Sequence, residues 1–444
     1  MKNKLHYTIL FLLVLVSKGK AQELSIDLDF RDRFEYRHGF NNLVPQGADP
    51  AAFVQQRARL KFGYTSEKFK AHFSIQDVRV WGDTRQILDN DANNNLQVAE
   101  AWASLAFGKG WSTKVGRQMI SYDDQRILGG LDWALQGRFH DLALIRYGNE
   151  KIKLDLGFAF SQNDLDALPG NQTGTIYNVT GFFSYKAMEY AHLTWKASEK
   201  ATLSFLALNN TFQNVINGTP TDGFYHTHTF GTHSKFKLGG VGLALNAYLQ
   251  AGEGPDTTDP ASPSTDLSAY LVGLEANGKI GTVGIGGGFE IQSGTDQNET
   301  DGKNYSFFPL YGTNHKFNGY MDYFYVGNHA NSVGLTDIYA KANFKFGKSS
   351  SLLIKGHYFS SAATLIDDTD GSEADKYLGT EVDIVFTQKL LPYASVKVGY
   401  SQMFAGEGME FLKNQPNPSG LQNWGWVQLV IKPNFLKWSP KPLQ

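Results

Sequence analysis

Residues 24–38, LSIDLDFRDRFEYRH, alternate between apolar and charged side chains. Successive side chains of a β-strand point to opposite faces, so a strand here has one apolar face and one charged face. This pattern fits a transmembrane barrel, in which the outer face meets lipid and the inner face lines a wet lumen. The apolar face contains Leu24, Ile26, Leu28, Phe30, Phe34 and Tyr36, and the charged face contains Asp27, Asp29, Arg31, Arg33, Glu35 and Arg37.

The N-terminal segment predicts export. A basic end precedes an apolar run at 5–16, and small residues follow at 19–21. This organisation is typical of a secretory signal peptide, and the apolar run is too short for a membrane anchor. We therefore expect a cleaved signal peptide over residues 1–21 and an outer-membrane β-barrel over residues 22–444.

The composition excludes several other classes of protein. After the signal peptide, no apolar run approaches the roughly 20 residues of a spanning helix. The formal net charge of −2 gives no electrostatic basis for binding nucleic acid. The chain has 0 cysteines, which removes disulfides, thiolate metal sites and cysteine nucleophiles. The aromatic content of 14% suits the two aromatic girdles of a membrane barrel.

The alternation recurs along the whole chain, and the connections between strands differ in length. It breaks near Asp77 and near Arg117, which suggests β-bulges there. Short connections alternate with long ones, as in barrels with short periplasmic turns and long extracellular loops. The sequence therefore predicts an all-β, antiparallel, up-and-down transmembrane barrel of about 18 strands. Clear alternation covers 57–64, 151–160, 241–250, 337–346 and 379–386; the short connections are 66–68, 108–110, 148–150, 197–200, 238–240, 278–281 and 347–350.

A soluble β-propeller or a run of β-sandwiches is the alternative architecture, because both contain many short strands. A propeller has a repeat of about 40–50 residues with recurring signature residues. No such repeat is present in the sequence. These folds also do not explain the basic face of Arg57, Arg59 and Lys61 over a continuous apolar face.

The charged lumen face is where we expect the function to lie. A barrel of about 16–18 strands encloses water, and its selectivity depends on the charges that line it. Guanidinium groups pair bidentately with carboxylates, so inward arginines favour acidic solutes. The predicted basic lumen residues are Arg31, Arg33, Arg57, Arg59, Lys61, Arg117, Arg126, Arg138 and Lys153. The predicted lumen acids, which we expect to hold these arginines in place, are Asp27, Asp29, Glu35, Glu100, Asp132, Asp141 and Asp155.

Several alternatives stay open at this point. Inward charges also pair simply to keep a lumen hydrated, which would make a general, non-selective porin. The loop at 122–137 is expected to fold inward as a constriction, and the alternative is a loop packed on a rim. The long loop at 294–333 is either a lid over the mouth or an aromatic cluster that holds itself together. Acidic loops at 255–266 and 296–301 offer oxygen ligands suited to Ca²⁺, or are solvated.

Catalysis is not predicted. The chain contains no G-x-S-x-G elbow, and its serines and histidines form no recognisable arrangement. No catalytic residue, metal or cofactor is therefore assigned. A structural or adhesion barrel without transport is a further alternative, although anchoring needs far fewer strands.

Four stretches resemble the alginate export family of outer-membrane proteins. They are VGRQMISYDDQRILGGLDWALQGRFHDLALIRY (115–147), YSFFPLYGTNHKFNGYMDYF (305–324), LGTEVD (378–383) and WVQLVIKP (426–433). The resemblance implies a monomeric, 18-stranded barrel that conducts an anionic polysaccharide such as alginate through an arginine-lined lumen. Its partners would be outer-membrane lipid, an anionic saccharide or small solute, and the barrel assembly machinery.

The C-terminal end departs from the usual pattern of membrane barrels. Such barrels often end on an aromatic residue that the assembly machinery recognises, whereas this chain ends KWSPKPLQ (437–444). Either Trp438 or the predicted last strand at 424–432 must then serve that purpose.

Overall fold

The computed structural model describes residues 22–84, 96–161, 185–217, 219–256, 259 and 261–440. The predicted signal peptide, residues 1–21, lies outside these residues. Within the described ranges, no helix is both long enough and apolar enough to cross a membrane.

The fold is built from antiparallel strands joined in chain order. Within the residues that the structure describes, the helical segments are short and lie in the long loops: a 3₁₀ turn (Asn314–Lys316), α1 (Val326–His329) and α2 (Glu407–Leu412). The strands are β1 (Glu23–His38), β2 (Ala51–Thr65), β3 (Phe69–Val80), β4 (Leu96–Gly108), β5 (Trp111–Gln118), β6 (His140–Gly148), β7 (Ile152–Phe160), β8 (Ala187–Ser198), β9 (Ala201–Ile216), β10 (Thr219–Leu238), β11 (Val241–Gly254), β12 (Thr265–Ile280), β13 (Val283–Gln292), β14 (Leu335–Phe346), β15 (Ser350–Ser360), β16 (Tyr377–Leu391), β17 (Ala394–Ala405), β18 (Gln422–Ile431) and β19 (Asn434–Trp438).

The barrel closes where β1 meets the end of the chain. β1 pairs with β2 along one edge and with both β18 and β19 along the other. The last two segments therefore share one position in the wall, and the closed barrel has 18 strands, which confirms the predicted count. Pro433 separates them because proline has no N–H to give to the ladder. The wall continues to Trp438, beyond the predicted last strand.

The two predicted faces of β1 and β2 are confirmed. Arg31 lies opposite Arg57, and both side chains point into the barrel, where they contact an inward loop. Leu28 lies opposite Leu60 on the other face, which is the lipid-facing one. Exposed large apolar residues such as Phe62 and Phe73 continue that outer face, as expected where lipid replaces water as the solvent.

The predicted bulge near Asp77 is wrong. Asp77 keeps the regular register with Ala58, and it forms an ion pair with Arg79 on the outer face. The bulge lies one strand further on, at Ala99, because Ser74 pairs with Glu100 while Ile75 pairs with Val98. Both charges lie near the long-loop end of β3, where an outward charge reaches the headgroup region.

The apolar core lies inside the barrel, where two long loops pack against the inner wall. One cluster joins Leu128 and Tyr311 to Met188 and Leu271 of the wall. The other joins Met321 and Tyr323 to Trp424 and other wall residues. A wet lumen cannot extend through these clusters, so the loops set how wide the passage is.

Candidate functional site: the constriction and the lumen wall

The loop between β5 and β6 leaves the wall and crosses the lumen. We call residues 119–139 the constriction loop. Its later half contacts β1, β2 and β3, while its earlier half contacts β8 to β11. The predicted inward fold of residues 122–137 is confirmed, and the loop is attached to two opposite parts of the wall.

Four inward arginines hold the later half of this loop. We call Arg31, Arg33, Arg57 and Arg59 the arginine cluster. Each donates a hydrogen bond to a backbone carbonyl of the loop: Arg31 to Asp132 at 3.0 Å, Arg33 to Trp133 at 2.9 Å, Arg57 to Leu135 at 3.0 Å and Arg59 to Gln136 at 3.2 Å. Successive inward positions on two neighbouring strands thus hold residues within the 132–136 segment of the loop.

Carboxylates complete the charge balance of the cluster. Asp132 accepts from Arg31 at 2.6 Å and from Arg57 at 3.1 Å, and Asp29 accepts from both arginines. Glu35 pairs with Arg33 at 2.7 Å. Burial alone would raise the pKa of Asp132, but the charges of Arg31 and Arg57 hold that pKa below its usual value. Asp132 therefore stays ionised at neutral pH and anchors the loop.

The earlier half of the loop is held by two consecutive aspartates. Asp123 accepts hydrogen bonds from His192 and Ser204, each at 2.9 Å. Asp124 accepts from Asn246 at 2.7 Å. Burial alone would raise the pKa of Asp123, but these hydrogen bonds hold it below its usual value.

Ser204, His192 and Asp123 do not form a catalytic triad. A triad uses both ring nitrogens of the histidine, one for the serine and the other for the aspartate. Here a single nitrogen, Nε2 of His192, lies 2.9 Å from both Ser204 Oγ and Asp123 Oδ2. The arrangement anchors the loop.

A second loop, residues 293–334, also enters the barrel. Tyr311 donates to Asn210 at 2.7 Å, and the backbone N–H of Met321 donates to Glu381 at 2.9 Å. Met321 and Tyr323 are fully buried. An aromatic and apolar cluster therefore holds the loop together and attaches it to the wall. Of the two alternatives for 294–333, the aromatic cluster is the one present.

The two loops meet at Trp133 and Arg126. The ring of Trp133 stacks on His315 at 4.3 Å, and the guanidinium of Arg33 lies over its face at 4.1 Å. Arg126 forms a buried ion pair with Glu290 of β13 and donates to Asn318 at 2.8 Å. The constriction is thus a joint structure of both loops and the wall.

A cavity of about 820 Å³ remains beside the two loops, along β10 to β15. Glycines form part of its wall, and Gly242, Gly273 and Gly284 present no side chain to the space. Several lysines line it, of which Lys341 is paired with Glu275 at 2.7 Å. The cavity places basic side chains on the wall opposite the arginine cluster.

Comparison with known proteins supplies the decisive observation. The model of the alginate export family matches residues 22–423 of the 444-residue chain.

The chain belongs to the alginate export family.

Solved structures of other channels share the fold of this alginate export family member. OccAB4 of Acinetobacter baumannii has a TM-score of 0.59 at 10% identity, over 94% of this chain and 99% of that one. OccK3 (OpdO) of Pseudomonas aeruginosa has a TM-score of 0.60 at 12% identity, over 93% and 96%. OpdK of the same organism, solved with vanillate, has a TM-score of 0.56 at 14% identity, over 93% and 99%. Among curated protein sequences, none matches this chain significantly.

These findings place this family member in the outer membrane as a channel for solutes, and not as an enzyme. They leave the solute open. Selectivity depends on the charges that line the lumen.

The predicted lumen residues divide into three groups: residues that face the open lumen, residues that the loops cover, and two residues that face outward. Lys61 and Lys153 face the lumen as predicted, as do Asp27, Glu100 and Asp155. The arginine cluster, Asp29, Glu35, Arg126 and Arg138 also lie inside the barrel. Their side chains, however, are covered by the loops, since Arg57 is fully buried and Arg59 is 2% exposed. The arginines therefore do not form an open track along the lumen.

The prediction that Arg117 and Asp141 face the lumen is wrong. Arg117 pairs in register with Ala101 and Asp141 on the outward face of β5. The two side chains form an exposed ion pair at 3.0 Å. β5 keeps strict alternation, so its inward residues are Ser112, Lys114, Gly116 and Gln118. Outward charges are tolerated here because β5 ends at Gln118, near the extracellular rim.

The predicted set contains only two of the inward lysines, Lys61 and Lys153, and omits others. Alternation does place them inside: Lys235 and Lys237 lie opposite Ala244 and Gly242 on the inward face of β10 and β11. The signal in the sequence is the spacing of these lysines, since residues two positions apart on a strand share a face. The arginines of β1 and β2 show the same spacing more strongly, so the prediction rested on those two strands.

Acid is expected to loosen the second loop. Burial lowers the pKa of His329 to about 3, and its ring packs against Phe324. The pKa of His329 is lower in the closed loop than in the opened loop. The opened loop therefore takes up a proton that the closed loop excludes, and closure of the loop becomes less favourable as pH falls from about 6.5 toward 3. Amide exchange of peptides covering 320–335, corrected for intrinsic rates, should rise by up to about tenfold per pH unit between pH 6 and 4.

The matched variant for this measurement is His329→Gln, which keeps a side-chain donor for the carbonyl of Gly334. It should remove the extra pH dependence. Equal pH profiles in the native protein and the variant would show that another group controls the loop.

Proposed function

We propose that the channel conducts anionic solutes by passive diffusion, and that acidic oligosaccharides or alginate-like polysaccharide are its natural cargo. The proposal includes export through cleavage of residues 1–21. One observation carries it: a set of lysines faces the lumen with no ion-pair partner in the part of the chain that the structure describes. They are Lys153, Lys235, Lys237, Lys279, Lys345 and Lys397.

These lysines differ in role from the arginine cluster. Every guanidinium in the cluster is paired with a carboxylate, an amide or a loop carbonyl, so its charge is already used. The unpaired ammonium groups lie on strands on both sides of the barrel. Weak, repeated basic sites attract an anion and also release it, which conduction requires.

A general pore is the second candidate, and the cavity itself favours it in one respect. Glu275 and Glu290 line the same space as Lys235 and Lys341. Mixed charge of this kind weakens selectivity because oppositely charged groups partly cancel each other's field. The two candidates differ in the sign and size of ion selectivity.

Reversal potentials in planar bilayers under a KCl gradient separate them. We expect the native channel to be anion-selective. Lys235→Glu combined with Lys237→Glu should move the reversal potential toward zero or past it. The matched control is Lys109→Glu with Lys348→Glu, because these lysines lie exposed in turns. The control should leave the reversal potential near the native value.

A cation-selective native channel would contradict the proposal. An unchanged reversal potential in the Lys235 and Lys237 variant would favour the general pore, since the lumen lysines would then serve only to hydrate the wall.

A further inference from the structure

We propose that Arg31 and Arg57 form a carboxylate-binding site that the constriction loop itself occupies through Asp132. A carboxylate on an incoming solute would displace Asp132 and loosen the loop. The inference rests on the proposed function, because it assumes that anionic solutes reach the lumen. It adds where such a solute binds and what its binding changes.

The first support is the geometry of Asp132. Its Oδ2 accepts from Arg31 Nη2 at 2.6 Å, and its Oδ1 accepts from Arg57 Nη1 at 3.1 Å. One carboxylate thus bridges two guanidinium groups from neighbouring strands. Nothing in this contact depends on the rest of the aspartate, so a carboxylate from another molecule satisfies the same donors.

The second support is the exposure of the three side chains. The Asp132 side chain is 47% exposed, whereas those of Arg31 and Arg57 are 9% and 0% exposed. Water therefore reaches the carboxylate of Asp132, which covers the two arginines on that side. A solute in the lumen meets the loop carboxylate first and competes with it for the same donors.

The third support is the charge balance around the site. Asp29 lies 3.2 Å from Lys432 and 3.8 Å from Lys61, in addition to its contacts with Arg31 and Arg57. Four cations thus surround two carboxylates, Asp29 and Asp132, which leaves a net charge of +2. The site attracts a further anion even while Asp132 is in place, so competition starts from a favourable encounter.

The Asp132 contact is also the strongest one that holds this half of the loop. The other contacts from the arginine cluster go to neutral backbone carbonyls, such as those of Trp133 and Leu135. Hydrogen bonds between two charged groups are roughly twice as strong as neutral ones. Loss of the carboxylate contact therefore loosens this half of the loop, while Asp123 and Asp124 keep the other half attached.

The ion pair of Arg126 and Glu290 serves as an internal comparison. Both side chains are almost completely buried, at 1% and 8% exposure. Glu290 borders the cavity, but the guanidinium of Arg126 is covered, so a solute carboxylate reaches no donor there without prior movement of the loops. The Asp132 contact thus differs from the Arg126 contact because the carboxylate that holds its arginines is exposed to the lumen.

The test uses the full barrel in detergent, D-glucuronate as the probe and D-glucose as the uncharged control. Hydrogen exchange of peptides within 119–139 should rise with glucuronate and stay constant with glucose. In Asp132→Asn, hydrogen exchange of these peptides should already be raised without solute, and adding glucuronate should not raise it further. The same variant should bind glucuronate about tenfold more tightly, measured as the concentration that half-blocks the current, because the built-in competitor is weakened.

The matched control is Asp141→Asn, which changes the net charge equally but lies on the outer face. It should behave as the native channel does. Equal exchange with glucuronate and glucose, or unchanged affinity in Asp132→Asn, would overturn the inference. Because selectivity is measured separately in KCl, an anion-selective channel that gives either result rejects this site while leaving the proposed function intact.

Discussion

Replacing Arg57 with methionine should lower the free energy of unfolding by about 3 kcal/mol, because removal of one partner from a buried ion pair leaves the other partner uncompensated. Arg57 is fully buried and donates to Asp29, Asp132 and the carbonyl of Leu135. The loss should lie at the lower end of the usual range since Arg31 still contacts both aspartates. Urea unfolding in lipid vesicles, followed by tryptophan fluorescence, measures it.

Arg117→Met is the control for this prediction. It removes the same type of side chain from an exposed pair, whose contribution is about 1 kcal/mol or less. Comparable losses for the two variants would mean that the arginine cluster contributes no more to stability than a surface ion pair does.

Replacing Leu60 with arginine should cost about 2–4 kcal/mol if the site lies near the middle of the bilayer. Leu60 lies on the outward face between Leu28 and Ile75. An arginine there places its charge in lipid, with no ionised partner directly across either ladder. The same vesicle-based unfolding experiment reports the change.

Lys61→Arg supplies the comparison, because it introduces the same residue one position away on the inward face. Its stability should stay close to that of the native protein. If both variants were equally stable, the assignment of the two faces would have to be reversed or abandoned.

Side-chain direction was predictable from the sequence because strand alternation is a local property. Arg31 and Arg57 were placed inside the barrel by parity alone, and the register confirms it. The inward fold of the constriction loop was also predicted, from a segment rich in glycine and aspartate that follows a strand. These inferences needed only neighbours within about ten residues.

What covers the arginines was not predictable in the same way. Asp132 contacts Arg57 across 75 positions of sequence, and Arg126 contacts Glu290 across 164. Alternation says which face a residue occupies, but it does not say whether that face meets water or a loop. The lumen arginines were therefore expected to be open to solutes, whereas most of their donors are used by the protein itself.

The Arg117 error has a different origin. Its neighbours in the sequence, WSTKVGRQ, contain polar residues on both parities, so the apolar face is marked only by Trp111 and Val115. A short strand that ends near the rim has too few positions to show which of its side chains point inward. The ladder with β4 and β6 settles it because register is cooperative across neighbours.

The constriction loop also has a mechanical consequence for the barrel. It is fixed to β1 and β2 by the arginine cluster and to β8 and β11 by Asp123 and Asp124. A closed sheet of this size is a thin ring that lateral pressure from the membrane tends to flatten. A segment tied to two distant points of that ring acts as a cross-brace. The element that narrows the passage therefore also helps to keep the cross-section of the barrel round.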